Sequence, residues 1–237
     1  MSTYDEILLL RKELKRPGVF QHHHIQLRMV IWHITIRFSV FFKRLMDIIL
    51  SILSIIIGSP IFLLTALLVK VTSPGPIIFS QVRVGKYGRH FKFYKFRSMY
   101  IDAEARKAEL LKHNESGDGV IFKMKHDPRI TPVGRFIRKF SIDELPQLFN
   151  VLLGDMSLVG PRPPLPSEVK SYTIEERKRL NITPGITCIW QVSGRSELPF
   201  QQQMALDKLY IASRSAWKDF LILLKTIPAI LTGKGAW

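Results

Sequence analysis

The chain has 237 residues, 46% of them hydrophobic, and its 35 Lys/Arg against 19 Asp/Glu give a net charge of +16. These values exclude a disordered chain and suit one substantial domain with a membrane element, or two small domains. The charge requires an anionic partner, whereas the single cysteine, Cys188, excludes a disulfide framework and a multi-cysteine metal site.

Residues 1–40 form an N-terminal extension to which we assign no role. The extension begins with polar residues, so no secretory signal is expected. Three consecutive histidines at 22–24 are interpreted as a solvated linker rather than a weak metal site. Residues 25–42 are apolar but interrupted by charges, and both a strand and an interfacial helix fit this pattern.

Residues 48–69 contain 22 consecutive uncharged residues, enough for a helix to span the ~30 Å hydrocarbon core of a membrane. Ser59 and Pro60 lie at the midpoint, and an interior proline removes a helical hydrogen bond and bends the axis. Positive charge flanks the segment on both sides, so the positive-inside tendency does not separate its ends. Both a kinked transmembrane helix and a helix that re-enters the same face fit these features.

Beyond residue 72 the chain becomes strongly basic, with 15 Lys/Arg and 6 Asp/Glu between Arg83 and Lys139. A short strand is predicted at 77–79, and 184–187 and 191–195 are interpreted as turns around another strand. The apolar spacing of the last helix also suits a membrane surface. The predicted helices are 101–113, 142–153, 200–213 and 216–232.

A pair of carboxylates, Asp143 and Glu144, lies at the predicted start of the helix 142–153. Either Ser141 or Asp143 could cap this helix, and both registers place the pair at its N-terminus, where N–H groups favour phosphate. Acidic residues are also common there for structural reasons alone. The interpretation as a catalytic site gains from the cations in neighbouring motifs, because such a cluster suits phosphoryl transfer and a divalent ion. A carboxylate can itself be the nucleophile.

Seven stretches, in order along the chain, resemble the bacterial sugar transferase family, the monotopic polyprenyl-phosphate phosphoglycosyl transferases. They cover roughly residues 41–237, and the resemblance is to the minimal, short form of the family. The matching stretches are 43–47, 59–60, 81–85, 95–99, 141–151, 154–163 and 184–187 with 190–195.

The resemblance implies a mixed α/β, mainly helical fold. It consists of a re-entrant membrane helix over 41–72, broken at Ser59 and Pro60, amphipathic interfacial helices, and a small cytosolic catalytic domain over 73–237. The implied location is the bacterial inner membrane, with the catalytic domain on the cytoplasmic face. We therefore expect residues 43 and 70 to lie on the same side.

The resemblance also implies the chemistry. Asp143 attacks the β-phosphate of a UDP-sugar, expels UMP and holds the sugar phosphate covalently, and polyprenyl phosphate, in the form of undecaprenyl phosphate, then accepts it. Such a step begins the assembly of exopolysaccharide, O-antigen or glycoprotein glycans. Glu144 is the second catalytic residue and Asp143 a ligand of Mg²⁺. Phosphate groups are expected at Lys95, Arg138 and Arg162, and further nucleotide-sugar contacts at Arg97, Gln191 and Arg195.

Departures from the family pattern leave the identity of the sugar open, and Ser196 lies where the sugar-determining region of the family varies. Cys188 stands where glycine is common, and residues 201–203 are glutamines where glutamates are frequent. No nucleic-acid partner is expected, because no nucleic-acid-binding motif is recognisable. The oligomeric state is open, with a homo-oligomer as one arrangement. The competing interpretation is a non-catalytic basic scaffold on the membrane.

Overall fold

The computed structural model describes residues 19–110, 124, 126–233 and 235, which form many helices and two small sheets. The predicted mixed α/β, mainly helical fold is confirmed. Two compact units divide the chain, residues 1–45 and 46–237. Helix α1, Val19–Thr72, belongs to both. The other described elements are β1 (Ile78–Val84), β2 (His90–Phe96), α2 (Ala103–Leu110), α3 (Pro132–Lys139), α4 (Gln147–Leu153), β3 (Ser157–Val159), α5 (Pro166–Ser171), α6 (Ile174–Arg177), β4 (Gly185–Thr187), α7 (Phe200–Ser213) and α8 (Ala216–Thr232).

Within α1, the segment Arg37–Thr72 is long and apolar enough to cross a membrane. The helix also contains residues 22–24 and 25–42, so the strand interpretation of residues 25–42 is wrong. The helical assignment continues through Ser59 and Pro60, where a break was expected. A proline inside a helix commonly bends the axis without interrupting the helix, so a change of direction requires no irregular segment here.

Polar contacts hold both ends of residues 46–72, the part of α1 that lies in the second unit. Near the first end, Leu158 N–H donates to Asp47 Oδ1, 3.1 Å away. Near the second end, Arg97 donates to the carbonyls of Ser73 and Pro74, at 2.6 Å each. A buried guanidinium thereby satisfies carbonyls just beyond the helix end, where intrahelical partners are missing.

Between these ends, α1 contributes a few side chains to the domain and leaves many apolar side chains exposed. Val69 is buried against Phe96 and Ile137. Ile57 and Leu63, by contrast, are 77% and 73% exposed. Exposed apolar side chains of this size indicate contact with lipid or with another apolar surface.

Strands β1 and β2 form an antiparallel hairpin in which Ile78 pairs with Phe96. Asn150, fully buried on α4, joins the hairpin to the rest of the domain. Its Oδ1 accepts from Tyr94 N–H at 3.1 Å and its Nδ2 donates to the Lys92 carbonyl at 2.7 Å. This side chain therefore holds β2 against α4.

The main core lies between the hairpin, α4, β3, α7 and α8. Strand β3 pairs in parallel with β4, with Ser157 opposite Gly185. A side chain at Gly185 would collide with the backbone of Gly160, so glycine permits the close approach of these two segments. The buried apolar residues of this core are Phe91, Phe93, Leu148, Val151, Met156, Leu158, Val159, Ile182, Tyr210 and Ile222.

The predicted helices are confirmed most closely at the C-terminal end, where α7 and α8 have the expected bounds. The helix predicted at 101–113 is observed as Ala103–Leu110, and residues 111–113 lie outside the described residues. The strand predicted at 77–79 is the start of the longer β1. The turn predicted at 184–187 is wrong, because Gly185–Thr187 is extended and forms β4, which pairs with β3. The strand predicted between 187 and 191 is not formed, and a 3-10 helix begins at Trp190.

Candidate active site

Three charged side chains meet at the end of the hairpin. Lys95 Nζ, on β2, lies 2.7 Å from Glu144 Oε1 and 3.3 Å from Asp143 Oδ2. The Asp143 side chain is only 7% exposed, compared with 19% for Lys95 and 18% for Glu144. Two adjacent carboxylates thus share one ammonium group in a largely desolvated place.

The local backbone differs from the predicted helix start. Asp143 and Glu144 lie in a 3-10 turn, Ile142–Glu144, and α4 begins only at Gln147. Neither Ser141 nor Asp143 caps a helix, since no side-chain cap is formed here and Ser141 adopts a left-handed conformation with φ 55°. This conformation is uncommon for a residue other than glycine and costs on the order of 1 kcal/mol.

The surroundings shift the pKa values of the two carboxyl groups in opposite directions. Burial raises the pKa of Asp143, and the negative charge of Glu144 adds to this effect, while Lys95 and Arg138 oppose it. Burial acts on Glu144 as well, but Lys95, Arg162 and Arg195 outweigh it and lower the pKa of this group. The ionised form of Asp143 is therefore the more costly one, a feature typical of reactive groups.

The carboxylates open onto a cavity of about 1030 Å³. Such a volume is at the upper end for small-molecule sites. Basic side chains outnumber acidic ones in its wall. The basic residues are Arg83, Lys95, Arg97, Arg129, Arg138, Arg162, Arg179 and Arg195, and the acidic ones are Glu104, Asp127, Asp143, Glu144 and Glu168.

Arg162 is positioned through its backbone by a clamp between β3 and β4. Gly160 N–H donates to the Thr187 carbonyl at 3.0 Å, and Gly185 N–H donates to the Pro161 carbonyl at 2.9 Å. Arg179 Nη2 donates to the Arg162 carbonyl, also at 2.9 Å. These contacts direct the segment that carries Arg162 towards the cavity, beside Glu144.

Four arginines in the cavity wall have a buried guanidinium nitrogen without a hydrogen-bond partner among the described residues: Nε of Arg83, Arg97 and Arg179, and Nη1 of Arg195. Burial and the neighbouring charge of Arg162 lower the pKa of Arg83 to about 10. Arg195 has a left-handed backbone, with φ 53°. Cations held close to one another with spare donors favour the binding of an anion that supplies the missing charge.

The predicted site residues fall into two groups. The structure brings Lys95, Asp143 and Glu144 into direct contact, and it places Arg138, Arg162, Arg195 and Gln191 in the wall of the same cavity. Arg97 also lies in the wall, but its Nη atoms bind carbonyls at the end of α1, which gives this residue a structural role. Its predicted nucleotide contact stays a prediction.

The family model described as "Bacterial sugar transferase" matches residues 38–233. The chain belongs to this family. Galactosyl transferase CpsE of Streptococcus agalactiae is 48% identical over 195 residues, covering 82% of this chain and 43% of the relative. Undecaprenyl-phosphate galactose phosphotransferase of Salmonella typhimurium is 44% identical over 219 residues, covering 91% and 46%.

Relatives differ in length and in the sugar for which they are named. The chain spans less than half the length of the two relatives above. It matches 88% of the exopolysaccharide production protein ExoY of Sinorhizobium fredii, to which it is 38% identical over 198 residues, 82% of this chain. Other relatives are named for N-acetylgalactosamine and glucose phosphate transfer.

The sequence predicted no role for Arg83, although this residue lies in the matching stretch 81–85. An arginine that alternates with valines on a strand resembles an ordinary solvent-facing residue. In the structure it is 7% exposed and donates to the Pro163 carbonyl at 3.1 Å. Only the fold brings β1 beside the segment of Arg162, so the sequence contained no signal for this contact.

The fit of a divalent ion can be judged from the carboxylate oxygens. Within the described residues no cluster of three or more His, Cys, Asp or Glu side chains could hold a metal. The contacts to Lys95 use Asp143 Oδ2 and Glu144 Oε1, and no hydrogen bond among the described residues uses Asp143 Oδ1 or Glu144 Oε2. This donor set fits Mg²⁺, which typically binds one or two carboxylates together with substrate phosphates.

A second buried ion pair, between Arg179 and Asp207, contacts the segment that carries Arg162. Arg179 Nη2 lies 2.7 Å from Asp207 Oδ2, with side chains 7% and 2% exposed. Burial raises the pKa of Asp207 to about 6, so the group is ionised at neutral pH. Because Arg179 also binds the Arg162 carbonyl, this pair connects α7 to the cavity wall.

We expect Asp207→Ala to destabilise the domain by about 3–5 kcal/mol, because the change leaves the Arg179 charge buried without its partner. Thermal unfolding in detergent measures the effect. Glu175→Ala is the matched control, since it removes the exposed pair between Glu175 and Lys178, and it should leave the midpoint unchanged. Equal midpoints for both variants would contradict a supporting role for the buried pair.

Proposed function

We propose that this sugar transferase moves a sugar 1-phosphate from a UDP-sugar to polyprenyl phosphate, with Asp143 as the covalent nucleophile. The observation that carries the proposal is the buried cluster of Asp143, Glu144 and Lys95 in a basic cavity. The names of the relatives, which specify undecaprenyl phosphate and sugar phosphates, support the same substrates.

In the first step an oxygen of Asp143 bonds to the β-phosphorus of the UDP-sugar. The bond from this phosphorus to the bridging oxygen breaks, and UMP leaves with that oxygen. In the second step an oxygen of polyprenyl phosphate attacks the same phosphorus and displaces the carboxylate. The product is a lipid with a diphosphate-linked sugar, and no electron acceptor or donor is consumed. Two successive displacements of this kind predict ping-pong kinetics.

The residues around Asp143 have distinct roles in these steps. Lys95 orients both carboxylates and attracts the reacting phosphate, while Arg138 adds positive charge on the Asp143 side. Arg162 and Arg195 act on the Glu144 side, where the diphosphate would be neutralised. Burial keeps the carboxylate of Asp143 poorly solvated, so the attack requires little removal of water.

Magnesium is proposed as the bound ion, with Asp143 as a ligand and Glu144 beside it. When bound, the ion would neutralise phosphate oxygens and polarise the phosphorus. Gln191 and Arg97 remain proposed neighbours of the nucleotide-sugar, since both lie in the cavity wall. The sugar itself stays open, because relatives of similar identity are named for different sugars.

The proposed location is the cytoplasmic face of the bacterial inner membrane, where nucleotide-sugars are available. The apolar segment Arg37–Thr72, with only 11% of its most apolar window buried, supports insertion into lipid. Exposed Trp217, Phe220 and Leu224 on α8 suit a helix that lies on the membrane surface. The product would enter the assembly of exopolysaccharide, O-antigen or a glycoprotein glycan.

An assay of UMP release tests the function. Detergent-extracted protein is incubated with polyprenyl phosphate, Mg²⁺ and each member of a UDP-sugar panel, and one or more sugars should yield UMP. A membrane scaffold without catalysis would release none, and it gives no reason for two buried carboxylates around one lysine. Failure of every sugar would favour the scaffold.

Arg162→Ala is expected to lower the catalytic efficiency with the nucleotide-sugar. The change removes a charge-assisted contact of ~1.5–3 kcal/mol, which corresponds to roughly 10- to 150-fold. Steady-state kinetics with varied UDP-sugar measure it. Arg214→Ala provides the control, because Arg214 is exposed between α7 and α8. An unchanged efficiency in Arg162→Ala would make the residue structural.

A further inference from the structure

A second cavity, of about 510 Å³, lies between the later half of α1 and the hairpin. We call it the apolar cleft. One wall is formed by Phe62, Leu63 and Ala66 of α1, and the opposite side includes Phe96 and Phe149. No charged side chain lines the cleft, so its occupant must present an apolar surface.

The inner end of the apolar cleft adjoins the catalytic cavity. Ile78 and Phe96 line both cavities. Phe96 directly follows Lys95, whose ammonium group binds the two catalytic carboxylates. Pro146, two residues after Glu144, lies in the wall of the cleft as well. A molecule that fills the cleft would thus reach the wall that both cavities share at Ile78 and Phe96, and an end that passes this wall enters the catalytic cavity, which Lys95 lines.

The outer end opens on the exposed face of α1. Leu63 is 73% exposed although it lines the cleft. Its neighbour Leu64 is 58% exposed, on the helix that is proposed to insert into lipid. A ligand dissolved in the membrane could therefore enter sideways, without passing through water.

We propose that the apolar cleft binds the isoprenoid chain of the polyprenyl phosphate acceptor, with the units nearest the phosphate inside. The assignment rests on the proposed function. It combines two complementary features: an apolar chain matches the uncharged cleft, and the phosphate at its end matches Lys95 and the basic cavity. Chain and headgroup would thereby bind to two connected sites, which aligns the acceptor phosphate with the sugar phosphate on Asp143.

A substitution at Ala66, the smallest side chain that lines the cleft, tests this assignment by narrowing the cleft. Ala66→Phe should raise the KM for polyprenyl phosphate about 10-fold or more, because the added ring occupies the path of the chain. The exchange of labelled UMP into UDP-sugar, which needs only the first step, should stay at the wild-type rate. Leu67→Phe is the matched control, since Leu67 is the next residue, is 60% exposed and does not line the cleft.

A second variant guards against misfolding of the first. Phe149→Ala enlarges the cleft from the other side and removes an edge-on ring contact to Phe62, 6.3 Å between centroids. It should also raise the acceptor KM, by about 3-fold or more, with normal UMP exchange. Agreement of both variants, with the control unchanged, supports the assignment.

Two results would overturn it. An unchanged acceptor KM in both folded variants would mean that the cleft holds bulk membrane lipid or no ligand. Loss of UMP exchange in folded Ala66→Phe would mean that the cleft serves the donor reaction. Failure of the proposed function is distinguishable, because wild-type protein would then show no UMP exchange at all.

Discussion

Replacing Asp143 with asparagine is expected to lower UMP release from a UDP-sugar by on the order of 10³-fold or more, as for other enzymes that lose their nucleophile. An amide oxygen cannot form the covalent bond to phosphorus that the proposed reaction requires. The measurement is UMP release in detergent with the best sugar of the panel. A covalent sugar phosphate, detected by mass spectrometry of protein incubated without acceptor, should be absent from the variant.

The same variant should remain folded. Burial raises the pKa of Asp143, which means that the ionised group is costly in its place. Asparagine has nearly the same shape without the charge, and Lys95 keeps its contact to Glu144, at 2.7 Å. Thermal unfolding of the variant should therefore occur at or above the wild-type midpoint, a pattern that distinguishes loss of chemistry from loss of structure.

Two companion variants sharpen this result. Asp155→Asn is the control, since Asp155 follows α4 and lies outside the cavity wall, and it should keep normal turnover. Glu144→Gln should also reduce turnover severely, because it removes the group that shares Lys95. Near-normal UMP release by Asp143→Asn would exclude Asp143 as the nucleophile.

The sequence predicted best those elements whose order is local. Helices α7 and α8 have the expected bounds because apolar spacing and polar breaks coincide along one stretch of chain. The hairpin was only partly predicted: β2 was not foreseen, since its Phe and Lys residues alternate over a few positions next to a basic region. Its stability depends on Asn150, which is more than fifty residues away in the sequence.

The site was predicted in composition but not in geometry. Motifs identified Asp143, Glu144 and the surrounding cations, but the expected capped helix start is a 3-10 turn preceded by a left-handed serine. Local rules favour a cap at this position. The contacts of Lys95 from a neighbouring strand outweigh that preference. For Arg97, the motif predicted a contact to the nucleotide-sugar, but in the structure the side chain binds the carbonyls at the end of α1.

Changing Ser59 and Pro60 to Ala and Leu is expected to make residues 48–69 span the membrane, whereas we propose that the wild-type segment returns to the face from which it enters. The replacement restores the helical hydrogen bond that proline lacks. A straight helix from Asp47 to Val69 is about 33 Å long at ~1.5 Å per residue, close to the ~30 Å of the hydrocarbon core. The variant should then place its N-terminal flank outside the cell and lose activity.

In the wild-type protein, both ends of this segment are expected on the same side of the membrane. This prediction follows from the contacts that the two ends make. Asp47 accepts a hydrogen bond from Leu158, and Val69 packs on Phe96 and Ile137, all within the same domain. The domain is proposed to lie on one face of the membrane, and both ends of the segment would then reach that face. Backbone groups freed near Pro60 would need partners in lipid, and the Ser59 hydroxyl is available to supply one.

Cysteine labelling from each side of the membrane decides between the two paths. Single cysteines at Met46 and Lys70, in a Cys188→Ser background, should both react from the cytoplasmic side in wild type. After the double change, the cysteine at 46 should react from outside and the one at 70 from inside. Ser59→Ala alone, which keeps the proline, should retain the wild-type pattern. Labelling of 46 and 70 from opposite sides in wild type would make the segment a true span, and the contacts of Asp47 and Val69 with one domain would then have to break in the membrane.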